Sequence, residues 1–298
     1  MMKIVRKKTT TWLFSDKGEK MATKQTVKDI RQRKGSGQKI SMLTAYDAPM
    51  AMLLDQSGID ILLVGDSLGM VVLGLDSTVP VTMDQMLHHA TAVSRGAGSA
   101  LVVGDMPFGS YLVDPRETVR NGLRFLKEAG CDAVKLEGGR NVCDDVRALV
   151  RAGVPVMGHL GLTPQTAGQL GGFKVQGKSM AAGRRLLADA RALEEAGAFA
   201  LVLECVPGRL AEVVTRAINI PTIGIGAGPH CDGQVLVTND MLGLFERFTP
   251  GFVKQYLVIA PQIKEAVAAF QDEINSGVFP APEHTFGTDE DFSTLLGE

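Results

Sequence analysis

Four apolar runs in this chain each end on a single acidic residue: IDILLVGD at Asp66, SALVVGD at Asp105, CDAVKLE at Glu137 and AFALVLE at Glu204. Apolar runs of this length are typical of parallel strands that are buried on both faces. An ionised carboxylate is costly to bury unless it is paired or binds a cation, so we expect these acids at strand ends. Because ligands bind at the carboxyl ends of parallel strands, the pattern predicts an acidic floor that attracts a divalent metal ion.

Two of these acids are the first candidates for metal ligands. Asp66 and Asp105 each follow a glycine, in the motifs GDSLG and GDMPFG, and neither motif contains His or Cys. Ligand sets made of oxygen alone favour a hard ion such as Mg²⁺, which keeps water molecules and accepts few protein carboxylates. The alternative is structural, because Asp commonly caps loops and turns.

A lysine and a serine lie beside the acids in the sequence. Lys135 precedes Glu137 by two positions in VKLEGG, so alternation along a strand places both side chains on the same face. Lys135 therefore either neutralises Glu137 or binds the carboxylate of an anionic substrate. A Schiff-base role is disfavoured, because adjacent acids hold the amine protonated. Ser67, directly after Asp66, is a candidate hydrogen-bond donor to the same substrate or an ordinary turn residue.

One histidine is placed to take part in the chemistry. His159 follows the apolar run in VPVMGHLGLTPQ, where it could donate to a developing oxyanion or simply pack. His88 and His89 lie in the middle of a predicted helix, so we expect them to be structural. His230, which follows IGIGAG, is left open.

The elements that must position these residues alternate along the chain. Eight strands are predicted, and helices are expected between most of them. The strands are Ile40–Thr44, Ile59–Gly65, Ala100–Gly104, Ala133–Leu136, Val154–Gly158, Phe199–Leu203, Pro221–Ile225 and Gln234–Val237. The helices are Ala48–Gln56, Met83–Arg95, Arg116–Ala129, Val142–Ala152, Ser179–Ala196, Arg209–Ile218 and Ile259–Ser276.

This alternation predicts an α/β fold, a (β/α)8 TIM barrel, with an open doubly wound sheet as the alternative. The link from Gly226 to Gly233 is too short for an ordinary crossover helix. It leaves the placement of the seventh and eighth strands in question.

Composition and charge favour a small-molecule partner. The formal charge of -2 over 298 residues provides no basic surface for nucleic acid or for an anionic membrane. The four cysteines, Cys131, Cys143, Cys205 and Cys231, show no C-x-x-C spacing, so we interpret them as reduced packing residues. Reduced cysteines predict a cytoplasmic location.

The two ends differ from the region between them. Residues 1–20 are rich in Lys and Arg and have no apolar stretch long enough for a signal peptide or a membrane span, so we expect a disordered extension. Met21 is a credible natural start of the chain. A single catalytic domain is predicted over residues 21–287, followed by an acidic tail over residues 288–298.

Two glycine-rich stretches resemble nucleotide-binding motifs without their context. IGIGAG lacks the G-x-G-x-x-G spacing, and GFKVQGKS matches the Walker spacing but has no strand before it. We therefore expect no nucleotide site. Residues Gly168–Lys178 are interpreted instead as a mobile loop over the barrel mouth, a candidate lid.

Seven motifs occur in an order that resembles one enzyme family. They are GDSLGMVVLG, GDMPFGSY, VKLEGG, MGHLGLTPQ, LECVP, IGIGAG and CDGQVLV. This order resembles the ketopantoate hydroxymethyltransferase family of the phosphoenolpyruvate/pyruvate superfamily, from about Val27 to Gly287. The resemblance implies a (β/α)8 barrel that assembles as a homodecamer in the cytoplasm.

The resemblance also implies roles for the candidate residues. Asp66 and Asp105 match magnesium ligands, and Glu137 would reach the ion directly or through water. Asp66, Ser67, Asp105, Lys135 and His159 match the groups that hold the keto acid. Glu204 matches the proton acceptor.

The implied reaction belongs to pantothenate and coenzyme A biosynthesis. It transfers a hydroxymethyl group from the co-substrate 5,10-methylenetetrahydrofolate to 3-methyl-2-oxobutanoate, by way of a Mg²⁺-stabilised enolate, and gives 2-dehydropantoate. The folate site rests wholly on the resemblance.

Two other functions are consistent with parts of the pattern. A lyase or mutase of the isocitrate lyase kind would share the metal and the enolate, but its K-x-C-G-H-type loop is absent from the sequence. A non-catalytic barrel would be expected to lose the acids at its mouth, and this chain keeps them.

Overall fold

The computed structural model describes residues 23–169, 171–290 and 292–296. The extension predicted over residues 1–20 therefore lies outside the described residues. The chain divides into two compact units, of which the first ends at Val237 and the second begins at Thr238. The domain boundaries drawn from the sequence, 21–287 and 288–298, stay predictions.

The first unit contains a closed barrel of eight parallel strands. Each strand pairs with the next along the chain, and β8 pairs with β1. The strands are β1 (Ile40–Thr44), β2 (Ile61–Val64), β3 (Leu101–Asp105), β4 (Ala133–Glu137), β5 (Val156–Gly161), β6 (Ala200–Glu204), β7 (Thr222–Ile225) and β8 (Gly233–Leu236). The predicted (β/α)8 TIM barrel is confirmed, and the open doubly wound sheet is wrong.

Helices follow most of the strands, and every helix predicted from the sequence is present. They are α1 (Val27–Gln32), α2 (Ala48–Gln56), α3 (Leu68–Val71), α4 (Met83–Gly96), α5 (Pro115–Lys127), α6 (Cys143–Arg151), α7 (Met180–Ala196), α8 (Gly208–Ala217), α9 (Thr238–Met241) and α10 (Ile259–Ser276). The sequence did not predict α1, α3 and α9, because helices of four to six residues are too short to establish a hydrophobic period.

The seventh and eighth strands are where the sequence placed them. β7 pairs directly with β8 through Ile223 opposite Gly233 and Gly224 opposite Gln234. Residues 226–232 between them form turns and bends. This short loop joins the two strands without a crossover helix. At its end, the Asp232 carboxylate accepts a hydrogen bond from Thr222 N at 2.9 Å.

The amino-terminal end of the barrel is closed by α1 and the residues around it. Ile30 of α1 is fully buried in the same apolar cluster as the inward-facing residues of the strands. Arg33 lies 3.1 Å from Asp60, and Lys34 lies 2.9 Å from Asp232. Both acids precede strands and accept hydrogen bonds from the backbone of a neighbouring strand. These ion pairs connect α1 to the strand ends opposite the acids at the mouth.

The second unit consists of α9, α10 and two short 3₁₀ helices, Pro282–His284 and Phe292–Leu296. Among the described residues, no helix has the combination of length and apolar character that a membrane crossing requires.

The acids at this closed end give a prediction about stability. Asp232→Ala should lower the free energy of unfolding by about 1–3 kcal/mol, because it removes the acceptor of the buried Thr222 N–H as well as the partner of Lys34. Denaturation monitored by circular dichroism measures the change. Asp84→Ala is the control, since Asp84 is 84% exposed and pairs with Arg124 on the surface. Equal stabilities for the two variants would contradict the stabilising role of Asp232.

Candidate active site at the barrel mouth

Strand alternation places five of the seven candidate side chains inside the barrel. Val103, Ala133, Met157 and Val202 belong to the apolar interior. On each of these strands, the next inward position, two residues further along, is occupied by a polar side chain. On β4 the inward position after that is also polar. The polar residues are Asp105 on β3, Lys135 and Glu137 on β4, His159 on β5 and Glu204 on β6. They form a polar layer directly above the apolar interior.

The other two candidates lie just beyond β2. Asp66 is 4% exposed, and its backbone N–H donates to Asp105 Oδ2 at 3.3 Å, which brings the two aspartates together. The Ser67 hydroxyl lies 2.9 Å from the hydroxyl of Tyr46, a buried residue that follows β1. Tyr46 was not predicted as a site residue, and it orients Ser67.

Lys135 provides the positive charge of this layer. Its Nζ atom lies 2.8 Å from Asp105 Oδ1 and 3.8 Å from Glu137 Oε1. Burial lowers the pKa of Lys135, but the charges of Asp105, Glu137 and Asp66 outweigh burial and raise it. The nearest acid is thus Asp105 on the neighbouring strand, which is in register with Lys135, rather than Glu137 on the same strand.

The three buried carboxylates are not equally stable as anions. Burial raises the pKa of Asp66 well above its usual range, and the charges of Asp105 and Glu137 raise it further. Burial also raises the pKa of Asp105, although the Lys135 ammonium opposes this. At Glu137, burial acts in the same direction, but contact with His159 outweighs it and lowers the pKa. The cluster therefore has a shortage of positive charge near Asp66 and Asp105.

His159 lies between two glutamates. Its Nδ1 atom is 3.3 Å from Glu137 Oε1, and its Nε2 atom is 3.2 Å from Glu204 Oε2. Burial and the charge of Lys135 lower the pKa of His159, but the contacts with the two glutamates outweigh them and raise it to about 9. The sequence placed His159 at the end of the fifth strand, and β5 includes it and continues to Gly161.

Glu204 is the acid with access to the mouth. Its side chain is 17% exposed, compared with 2% for Glu137. The next residue, Cys205, has a φ of 49°, a left-handed conformation that non-glycine residues rarely adopt and that often marks a functional site. Gly161 has a φ of 100°, and a Cβ there would lie 2.1 Å from the Glu204 carbonyl oxygen. The ends of β5 and β6 therefore approach closely beside Glu204.

Two residues that the sequence analysis did not single out connect the carboxylates. Gln165 in the 3₁₀ helix Pro164–Thr166 and Tyr111 after β3 are both buried. The Gln165 side chain contacts Asp66, and its backbone contacts Glu137. The sequence feature that could have pointed to Gln165 is its position, a few residues after His159 in the motif HLGLTPQ.

Several other predictions can be compared with the structure. His89 bonds the carbonyl oxygen of Tyr46, which fits the expected structural role, and His230 lies 3.9 Å from Glu212 on α8. The Walker-like segment is preceded by the 3₁₀ helix and a turn, so it lacks the strand that a phosphate-binding loop requires. All four cysteines are free thiols, as predicted. The candidate lid over residues 168–178 stays a prediction.

The oxygen atoms of the cluster fit a hard divalent cation. Asp105 Oδ1 is buried and accepts no hydrogen bond from any described residue, although Lys135 Nζ lies 2.8 Å away in an ion pair. Within the described ranges, no three His, Cys, Asp or Glu side chains are already arranged as a complete metal site. Mg²⁺ does not require three, because it usually keeps several waters and takes one or two carboxylates. Asp66 and Asp105 supply that number.

Comparison with known proteins identifies similar sequences over most of the chain. The family model described as ketopantoate hydroxymethyltransferase matches residues 24–282. A 3-methyl-2-oxobutanoate hydroxymethyltransferase from Desulfotalea psychrophila is 64% identical over 92% of this chain and 98% of its own length. A protein of the same name from Heliobacterium modesticaldum is 58% identical over 92% of this chain and all of its own length.

Solved structures with a similar fold have very different sequences. A phosphonopyruvate hydrolase in complex with oxalate and Mg²⁺ superimposes with a TM-score of 0.59 at 13% identity, covering 92% of this chain and 95% of that one. A 2,3-dimethylmalate lyase of the PEP mutase/isocitrate lyase superfamily gives a TM-score of 0.52 at 16% identity, covering 91% and 92%. At such identities the likeness establishes the fold alone.

The ion pairs of Lys135 give a prediction about the stability of the metal-free protein, which is measured with a chelator present. Lys135→Met should lower the free energy of unfolding by about 3–5 kcal/mol, because the buried carboxylates lose their ammonium partner. Thermal and urea denaturation measure the loss. Arg147→Met is the matched control, since Arg147 pairs with Asp144, whose side chain is 89% exposed. A Lys135→Met protein as stable as the control would show that Lys135 does not balance the cluster.

Proposed function

Because the chain belongs to the ketopantoate hydroxymethyltransferase family, we propose that it transfers a hydroxymethyl group from 5,10-methylenetetrahydrofolate to 3-methyl-2-oxobutanoate. The product is 2-dehydropantoate. In this reaction a C–H bond at C3 of the keto acid breaks, and C3 forms a bond to the one-carbon unit. Both C–N bonds of the methylene bridge break, and water supplies the hydroxyl group. Tetrahydrofolate leaves with its two nitrogens protonated, one proton coming from C3 and the other from the water.

One observation supports this proposal above the others. Three buried carboxylates, a buried lysine, a histidine and a half-buried glutamate meet at the carboxyl end of the barrel. Removing a proton next to a ketone requires a base, a positive group for the negative charge that develops and a site for the substrate carboxylate. The mouth contains candidates for each. The lyase alternative shares the fold, but the family match over residues 24–282 favours the transferase.

Glu204 is the proposed base. It has the greatest exposure of the acids in the polar layer, so a substrate that enters from the mouth reaches it first. His159 contacts Glu204 on one side and Glu137 on the other, and it holds the base in place. We also propose that His159 binds the substrate, at the edge of the space that the keto acid occupies.

Asp66 and Asp105 are the proposed ligands of Mg²⁺, with Glu137 close by as a direct or water-mediated ligand. The bound ion would act as a Lewis acid that makes the C3 proton easier to remove and stabilises negative charge on the keto oxygen. Lys135 offers its ammonium group to the substrate carboxylate. Ser67, whose hydroxyl lies 2.9 Å from that of Tyr46, is the proposed hydrogen-bond donor to the keto acid.

The setting of the reaction is also part of the proposal. The names of the similar proteins support a role in pantothenate biosynthesis. A cytoplasmic location and assembly as a homodecamer stay predictions from the sequence. The partners we propose are the keto acid and the folate, with no role for nucleic acid or membrane.

The proposed metal site predicts the effect of one conservative change. Asp105→Asn should weaken the affinity for Mg²⁺ by about tenfold or more, which corresponds to about 1.4 kcal/mol, because it replaces a charged ligand by a neutral one. Calorimetry with 3-methyl-2-oxobutanoate present measures the affinity. Asp84→Asn, on the surface, controls for the general loss of one negative charge. Unchanged affinity in Asp105→Asn would contradict the proposed ligand.

The proposed base predicts a reaction that needs no folate. With Mg²⁺ in heavy water, the wild-type protein should exchange the C3 proton of 3-methyl-2-oxobutanoate, and proton NMR of the isopropyl group follows the exchange. Glu204→Gln should slow this exchange by about 10²–10⁴-fold while keto-acid binding changes little, because general bases contribute about that much.

A different outcome would give Glu204 another role. If Glu204 only pairs with His159, Glu204→Gln should be less stable than the wild type, and its proton-exchange rate should be little changed. Exchange close to the wild-type rate in Glu204→Gln would move the base elsewhere, and His159 would be the next candidate.

A further inference from the structure

Gln165 makes more contacts with the carboxylate cluster than its place in a loop would suggest. It lies in the 3₁₀ helix after β5 and is 4% exposed. Its side-chain Nε2 donates to Asp66 Oδ2 and to the carbonyl oxygen of Met106, both at 2.9 Å. Its backbone N–H donates to Glu137 Oε2 at 3.1 Å. One residue therefore holds two of the three buried carboxylates.

The orientation of the Gln165 amide is determined by its neighbours. The Met106 carbonyl can only accept, so the atom facing it must be the nitrogen. On the other side, the Tyr111 hydroxyl accepts from Glu137 N at 3.2 Å and donates to Gln165 Oε1 at 2.6 Å. Both amide hydrogens and the amide oxygen are thus used. A rotated or flipped amide would lose all three hydrogen bonds at once.

Gln165 engages only one oxygen of each carboxylate. Asp66 Oδ2 and Glu137 Oε2 are occupied by Gln165. The contact with Asp66 does not involve its other oxygen, Oδ1. Glu137 Oε1 faces Lys135 and His159. Gln165 therefore decides which oxygen each acid presents to the centre of the mouth.

The loop itself does not need the Gln165 side chain. Thr163 and Thr166 bond each other through their hydroxyls at 2.6 Å, and Ala167 N bonds the carbonyl oxygen of Pro164 at 3.2 Å. These contacts close the 3₁₀ turn without any contribution from the Gln165 amide. The contacts of the amide lead instead to Asp66, to Tyr111 and to the carbonyl oxygen of Met106, the residue directly after Asp105.

We propose that Gln165 is a positioning residue which, locked by Tyr111, orients Asp66 and Glu137 to receive the divalent cation and the keto acid. This inference rests on the proposed function, because it assigns a partner to the ligands proposed there. Groups that hold metal ligands in place typically contribute about 10–100-fold to metal affinity.

Three variants test this role. Gln165→Met keeps the length of the side chain and the backbone N–H but removes both side-chain donors. Tyr111→Phe removes the hydroxyl that locks the amide and that also accepts a hydrogen bond from Glu137 N. Thr166→Val is the matched control, because it removes a hydrogen bond from the same turn without contacting a carboxylate. Calorimetry measures the Kd of Mg²⁺ for each protein, with 3-methyl-2-oxobutanoate present.

The expected result is a graded loss of cation affinity. Gln165→Met should weaken Mg²⁺ binding by about 10–100-fold, Tyr111→Phe by less, and the double variant by less than the two single losses combined, because the two side chains share a hydrogen bond. In the proton-exchange reaction, the KM for the keto acid should rise by about tenfold while kcat changes by less than about threefold, since Gln165 does not touch Glu204. Thr166→Val should keep the wild-type Kd.

Two results would overturn the inference. One is a Gln165→Met protein that binds Mg²⁺ as tightly as the wild type. The other is an equal loss in Thr166→Val, which would mean that the turn and not the amide matters. A wild-type protein that binds neither Mg²⁺ nor the keto acid would instead contradict the proposed function, so the two failures are distinguishable.

Discussion

The mouth of this barrel depends on the burial of the Lys135 ammonium among carboxylates. Lys135 lies 2.8 Å from Asp105 and 3.8 Å from Glu137, and the buried Asp66 is the third acid. Removing charges from water is costly, and the Lys135 ammonium and the His159 imidazolium cannot together balance the four acids at the mouth. Burial and the neighbouring acids accordingly raise the pKa of Asp66 well above its usual range. A divalent cation would remove this imbalance, and the keto acid would then bind to a site that is already charged and oriented.

Much of this arrangement follows from strand alternation and is visible in the sequence. A parallel strand buried on both faces appears as an apolar run, and its first charged residue marks the point where the interior ends. Asp105 and Glu204 were placed correctly for that reason, and on β4 the first charged residue is Lys135, two positions before Glu137. The closed barrel then brings these strand ends together, because eight parallel strands in sequential order share one mouth.

Other contacts depend on distances that a single sequence does not contain. The register of β3 and β4 makes Asp105, rather than Glu137, the nearest partner of Lys135. Gln165 and Tyr111 are neutral residues in two different loops, and no periodic pattern connects them. Their role becomes visible only when the loops after β3 and β5 meet, with Tyr111 and Gln165 in hydrogen-bond contact at 2.6 Å.

A divalent cation bound between Asp66 and Asp105 would offset the excess of buried negative charge. The most direct measurement is an anomalous difference map from a crystal of the protein grown with Mn²⁺ and 3-methyl-2-oxobutanoate. The proposed site requires a strong peak in contact with both aspartates, next to density for the keto acid. Ordered keto acid at the mouth without a peak at Asp66 and Asp105, or with the peak elsewhere, would contradict it.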